Sequence, residues 1–295
     1  MSELEPREGW VDNAGVRLHY WDWPGAEPAM LCMHGITANG RYWDSLAEQL
    51  NGRQRLIAVD LRGRGLSDKP PAGQYGWDQH AADMAAVLRA LELGSAIAVG
   101  HSLGGYVATL LAAREPGVIS RLVVVDAGIG LDQTTVRAQI ATSLKRLKMV
   151  FPSREAYFDY WRQVPFILWT TAFECYLLAE IDERAHGSVV VRTFAEAVEE
   201  DLLYFFEPGR AAAFAQAARD VQAPALVFWA PDGLADPQQP LMSRAGIEGL
   251  VDLLPRGRML PVAGTNHYTI LLRPDAVAQI AAAIQTEAAV PARER

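Results

Sequence analysis

Residues 96–105 read Ala96-Ile97-Ala98-Val99-Gly100-His101-Ser102-Leu103-Gly104-Gly105, a short apolar run that passes directly into Gly-x-Ser-x-Gly. Four small or β-branched apolar residues in a row predict a buried strand. Residues 102–114, Ser-Leu-Gly-Gly-Tyr-Val-Ala-Thr-Leu-Leu-Ala-Ala-Arg, predict an apolar helix. A chain that leaves a strand, turns sharply and enters a helix holds the serine at the apex in a strained conformation with its hydroxyl exposed. Gly100 and Gly104 suit so tight a turn because a Cβ at either position would clash. Gly-x-Ser-x-Gly on its own arises by chance, and a serine before a helix is ordinarily a cap. The strand–turn–helix setting is what singles out Ser102 as a candidate nucleophile.

Outward from this stretch, short β-rich runs alternate with longer helical patterns, which predicts an α/β fold with a mostly parallel sheet and helices on both faces. Residues 16–21 alternate and read as an early edge strand; 29–33, 56–60, 96–99, 122–125, 225–229 and 258–262 read as the other strands. Helices fit at 41–50, 77–93, 102–114 and 274–285. In open α/β sheets ligands bind beyond the carboxyl ends of the strands. That rule selects His34, Gly35, Asp60, Ser102, Asp126, Asp232 and His267.

The alternation breaks over residues 129–220, which are helical in pattern and carry 14 of the chain's 26 aromatic residues. An insertion of this length between two strands is expected to form a lid over the strand ends. The core domain is then 1–128 together with 221–295. Many of the rings are expected to form a second hydrophobic core, and roughly a third to face the substrate.

Bulk composition excludes several function classes. A net charge of −8 over 295 residues leaves no basic stripe for nucleic acid. The two cysteines, Cys32 and Cys175, have no metal-like spacing and read as buried apolar fillers. Residues 1–9 are acidic and polar, so no signal peptide is expected, and no apolar run reaches the length of a membrane span. A cytoplasmic location is the expectation, and the oligomeric state is not readable. A short Ala/Glu/Arg tail follows Thr286.

A serine hydroxyl needs a general base within hydrogen-bond reach, itself oriented by a carboxylate. Of the six histidines, His19 lies on the early strand and His80 opens a helix, so both read as surface or structural. His186 falls in the insertion, His101 points sideways beside the nucleophile, and His34 belongs to the loop after a strand. His267, in Gly264-Thr265-Asn266-His267-Tyr268, combines a loop at the sheet's carboxyl edge with a position late in the chain. It is the candidate base. Charge developing on the substrate oxygen needs preorganised donors, and the backbone N–H groups of Ile36 and Leu103 are placed to supply them.

With Met33-His34-Gly35, Asp60-Leu61-Arg62-Gly63-Arg64-Gly65-Leu66-Ser67-Asp68, Gly100-His101-Ser102-Leu103-Gly104-Gly105 and Asn266-His267 in place, the chain resembles the α/β-hydrolase fold superfamily. The likeness covers nearly everything outside the insertion and points to the serine-nucleophile, esterase-like branch. It implies that the 60–68 stretch is a structural turn, so neither Asp60 nor Arg62 is given a chemical role. A serine at the elbow sets the chain apart from the dehalogenase and epoxide-hydrolase branches, which use aspartate there.

One part departs from the pattern. Such enzymes commonly carry Gly-x-x-Asp after the strand at 225–229, whereas this chain has Ala230-Pro231-Asp232-Gly233, which places Asp232 one residue early. Some relatives instead take the acid from the end of the preceding strand, where Asp126 stands. Asp126 is favoured over Asp232, and either keeps the order Ser, acid, His. The resemblance implies hydrolysis of a carboxylic ester or related acyl bond through an acyl-serine intermediate, and the aromatic density of the insertion points to a small apolar or aromatic acyl substrate. No metal or organic cofactor is implied. The alternatives are carbon–carbon bond or lactone hydrolysis on the same three residues, or a ligand-binding member of the fold without turnover.

Overall fold

The computed structural model describes residues 5–234 and 236–287, with the side chain of Gln139 outside the description. The first four residues and the tail beyond residue 287 also lie outside it. Eight strands make one sheet: β1 (Arg7–Asn13), β2 (Val16–Trp23), β3 (Ala29–Met33), β4 (Leu56–Val59), β5 (Ala96–His101), β6 (Ile119–Val125), β10 (Ala225–Trp229) and β11 (Gly257–Pro261). Their order is β1-β2-β4-β3-β5-β6-β10-β11. From β4 to β11 all pairings are parallel, while β2 runs antiparallel to both its neighbours.

Strand β3, Ala-Met-Leu-Cys-Met, is fully buried, as a central parallel strand covered on both faces must be. Its alternate side chains serve two cores. Met30 and Cys32 join a cluster with Trp43, Val277 and Ile280, whereas Leu31 and Met33 join one with Trp77, Met84 and Val107. The covering helices are α1 (Asp44–Leu50), α2 (Trp77–Ala90), α3 (Leu103–Arg114), α9 (Arg244–Leu253) and α10 (Pro274–Glu287).

Several expectations are corrected. Residues 16–21 are not an edge strand, because β1 pairs outside them through a tight hairpin with positive φ at Ala14 and Gly15. The sequence of β1 is mostly polar and only Val11 is well buried, so no alternation marked it. Helix α9 went unread because Gly246 and Gly249 lower its helix propensity. The segment between β6 and β10 is not purely helical. It holds α4 (Gln133–Leu147), α5 (Arg154–Arg162), α6 (Thr171–Ala179), α7 (Ala195–Tyr204) and α8 (Arg210–Asp220), and also a small antiparallel sheet in order β7-β9-β8. These strands, β7 (Val150–Phe151), β8 (Ile181–Glu183) and β9 (Val189–Val191), are too short for a period to show. Cys32 is buried, but Cys175 is half-exposed.

His19 and His80 are fully buried and held by carboxylates: His19 Nδ1 by Asp60 at 2.9 Å, His80 Nε2 by Asp201 at 2.9 Å. Asp60 also accepts from the backbone of Gly40 and Leu66, and so works as a hub for the turn that follows β4. Arg62 binds Asp83 through both carboxylate oxygens, at 2.7 and 2.6 Å. Among the described residues no helix is long and apolar enough to cross a membrane.

Candidate active site

The chain turns back across β3 when it passes from β4 to β5, so the switch point of the sheet lies between β3 and β5. Register brings the strand ends level there, with Met33 opposite Gly100, His101 opposite Val125, and Val125 opposite Phe228. The loops that follow these strands carry Gly35 and Ile36, Ser102, Asp126 and Ala230 within reach of one another.

Ser102 leaves β5 with φ 52° and ψ −121°, a conformation that L residues rarely adopt, and α3 starts at the next residue. Its amide donates to Val125 O at 3.0 Å and its carbonyl accepts from Gly105 N at 2.8 Å, so neighbours on both sides hold the strained residue. A Cβ on Gly100 would collide with the Gly104 carbonyl, and one on Gly104 with the carbonyl of Met33. Both glycines are therefore required by the close approach of backbone to backbone.

His267 lies in the loop after β11, 8% exposed, and its Nδ1 donates to Asp126 Oδ2 at 2.6 Å. Asp126 is fully buried and has φ 48°. Its other carboxylate oxygen accepts from Ala230 N at 3.0 Å, and its amide donates to Phe228 O at 2.8 Å. A carboxylate can only accept, so this geometry places the imidazole proton on Nδ1 and leaves Nε2 free to take a proton. Asp232 instead makes an isolated bridge with Asn266, and its amide donates to Thr265 O at 2.9 Å. Ser102 and His267 line the same pocket but share no hydrogen bond in this structure. Such bonds commonly tighten only when substrate is bound.

The amides of Ile36 and Leu103 find no acceptor among the described residues. Leu103 opens α3, where the helix dipole favours negative charge. On the Ile36 side, Gly35 O accepts from His34 Nδ1 at 2.7 Å and from Ala38 N at 3.1 Å. In a trans peptide the C=O and the following N–H point in opposite directions. Fixing the Gly35 carbonyl therefore fixes the Ile36 N–H. His34 Nε2 accepts from Leu61 N at 3.0 Å, so the ring is a neutral bridge between two loops. Burial pushes its pKa down to about 4.

A second neutral histidine braces the candidate base. His101 Nε2 donates to His267 O at 2.9 Å, with the two rings 4.6 Å apart. Burial, reinforced by the nearby His267, holds the pKa of His101 well below 6.5. Tyr42 donates to the next carbonyl, Tyr268 O, at 2.7 Å, and Asn266 Oδ1 accepts from the amides of Tyr268 and Thr269. The reading of His101 as merely pointing sideways missed this role. Its position at the last residue of β5, beside Ser102, is the signal that could have found it.

The pocket that holds Ser102 and His267 is walled by Ile36, Leu131, Val136, Ile140, Leu202, Phe205, Leu241 and Met242, with Thr37, Ser143 and Tyr268 as further polar groups. Among the described residues no Lys or Arg lines it. Of the 14 aromatic residues in segment 129–220 only Phe205 reaches this pocket, well short of the third expected. The rest mainly pack on one another. Phe151, Tyr157, Phe158, Trp161, Phe173 and Tyr176 are all buried, around an ion pair of Arg146 and Glu180 at 2.8 Å.

The sequence pattern of the alpha/beta hydrolase fold family matches residues 28–274. Over 116 residues the chain is 44% identical to a 2-(acetamidomethylene)succinate hydrolase of Mesorhizobium japonicum, covering 39% of this chain and 41% of that protein. Over 118 residues it is 39% identical to an N-formylmaleamate deformylase of Pseudomonas putida, covering 40% of this chain and 44% of that one. The chain thus spans about two fifths of the length of these curated relatives. A crystal structure of E-2-(acetamidomethylene)succinate hydrolase superposes with a TM-score of 0.82 at 26% identity, over 95% of this chain and 98% of that one.

Proposed function

The chain belongs to the alpha/beta hydrolase fold family, and from that premise we propose that it hydrolyses an uncharged apolar carboxylic ester or related acyl compound through an acyl-serine intermediate. The observation that carries this reading is the 2.6 Å bond from His267 Nδ1 to Asp126, made at the edge of the pocket that Ser102 also lines. Ser102 attacks the acyl carbon as His267 Nε2 takes its proton, and Asp126 stabilises the imidazolium that forms. The N–H groups of Ile36 and Leu103 hold the oxyanion. His267 then returns the proton to the leaving group and activates water to release the acid. Segment 129–220, which contributes Leu131, Val136, Ile140, Leu202 and Phe205 to the pocket, acts as the lid.

The relatives named for succinate and maleamate derivatives act, by those names, on compounds that carry at least one carboxylate. A buried carboxylate needs a paired cation, and the pocket lining here contains none. That supports a neutral acyl substrate. A second reading, cleavage of an amide-type bond, is favoured by the full-length likeness to the acetamidomethylene succinate hydrolase. One experiment tests the first reading. A fluorophosphonate probe should label the wild type and not Ser102→Ala, and p-nitrophenyl butyrate should be turned over in preference to succinate monoesters. Labelling that survives in Ser102→Ala would sink the reading, and a preference for the anionic esters would reverse the substrate class.

A further inference from the structure

The cavity around Ser102 is small, about 80 Å³, room for a short acyl group or a handful of waters. Beside it lies a groove of about 470 Å³. Leu131 and Phe205 line both spaces, so these two side chains form the partition between them. The groove is aromatic. Trp77 stacks on Tyr106 at 4.7 Å and 20°, Phe205 stands edge-on to both rings, and Phe214 stands edge-on to Trp77. Ala211 and Ala215 on α8 keep the opposite wall low. Among the described residues the charged side chain at the groove is Glu207, paired with Arg210 at 2.9 Å, and no cation lines the space.

We propose that this groove is a second substrate subsite, which receives the distal end of an extended, uncharged acyl chain whose carbonyl carbon sits at Ser102. The inference rests on the acyl-hydrolase reading and narrows its substrate class to chains longer than the Ser102 cavity holds. Adjacency across Leu131 and Phe205 names the occupant, because a chain that outgrows the smaller space meets the groove next once these two side chains turn aside. Apolar walls without a cation select a neutral, hydrophobic tail. Segment 129–220 supplies most of the groove, which gives its aromatic content at 205, 206 and 214 a use apart from the buried core.

The test is calorimetric binding of aliphatic methyl ketones, from methyl ethyl to methyl decyl ketone, to the intact enzyme, a readout that needs no turnover. Affinity should climb by about fourfold for each methylene buried, and the climb should continue past the chain length that fills the Ser102 cavity. Ala215→Trp, on a half-buried helix position, should halt the gain for long ketones and leave short ones unchanged. Ala211→Trp, at an exposed position of the same wall, serves where the first variant fails to fold. A wild-type plateau at the short ketones overturns the subsite, as does Ala215→Trp leaving the long-chain gain intact. A plateau combined with a dimer that Ala211→Trp disperses would make the groove a contact between copies instead. Fluorophosphonate labelling of Ser102 separates the two failures, since its absence removes the hydrolase reading while ketone binding still reports on the groove.

Discussion

Asp126 adopts φ 48° at the end of β6, and this left-handed turn carries its carboxylate to 2.6 Å from His267 Nδ1. A residue continuing the strand would project to one face of the sheet instead. If Asp126 orients the base, Asp126→Asn should lower kcat by about four orders of magnitude, because an amide favours the wrong imidazole tautomer. Asp232→Asn should cost far less. The changes are close to isosteric, and circular dichroism should show both variants folded. A crippled Asp232→Asn beside a near-normal Asp126→Asn would reverse the assignment.

The strands at 29–33 and 225–229 were legible to the residue, and Ser102, with the helix behind it, almost so. Continuous apolar runs and tight-turn glycines are local signals, and they leave their mark in sequence. Asp126 and Asp232 could be ranked but not separated, since what distinguishes them is a backbone torsion and a partner 141 residues away. The roles of His34 and Arg64 were invisible for the same reason, and that of His101 was marked only by its place beside Ser102. Each acts through a backbone atom of another loop, and backbone atoms carry no residue code. Segment 129–220 misled by composition. Aromatic density reports burial, and most of those rings bury one another around Arg146 and Glu180.

His101 is a positioning residue, reaching the chemistry through His267 O. His101→Phe keeps a ring in the space but removes the donor, leaving a carbonyl without its partner at a cost of about 1–3 kcal/mol. We expect kcat to fall by about tenfold with KM little changed, and the kcat–pH profile to move. His101→Gln, which restores an N–H, should recover part of the rate. A loss confined to thermal stability, with kcat intact in His101→Phe, would reduce the residue to a packing role.

His34 should remain neutral throughout the range in which ordinary histidines titrate. Its folded pKa, about 4, lies below the ordinary 6.5. Between those values the unfolded chain binds the proton and the folded one does not, so this stabilisation is complete above about pH 6.5. It is lost as pH falls towards 4, by about 3 kcal/mol in all. His101 shifts in the same direction. Urea unfolding of wild type against His34→Asn across this range isolates the contribution, and the two curves should converge at the acid end. Parallel curves would mean that His34 is not the neutral bridge between Gly35 and Leu61.

Arg64 connects segment 129–220 to the loop that carries Ile36. Fully buried, it donates from Nε to Ile36 O at 3.0 Å and lies 2.7 Å from Asp201 on α7. Burial alone would raise the Asp201 pKa, but His80 and Arg64 overcome it and hold the group down to about 2. Asp201→Asn leaves a buried guanidinium without its counter-charge and should cost about 3–5 kcal/mol. Replacing both partners, as in Arg64→Met with Asp201→Asn, should recover much of that stability, since the guanidinium goes together with its counter-charge while the amide oxygen still accepts from Gly76 N and His80 Nε2. It should not recover the rate, because Ile36 O still lacks its donor and Ile36, whose N–H is proposed to hold the oxyanion, is then anchored on its Gly35 side alone. The double variant should therefore melt close to wild type while kcat stays depressed by about a hundredfold, the scale of losing one oxyanion donor. Recovery of kcat together with stability would show that the ion pair only anchors α7 and leaves the oxyanion loop untouched.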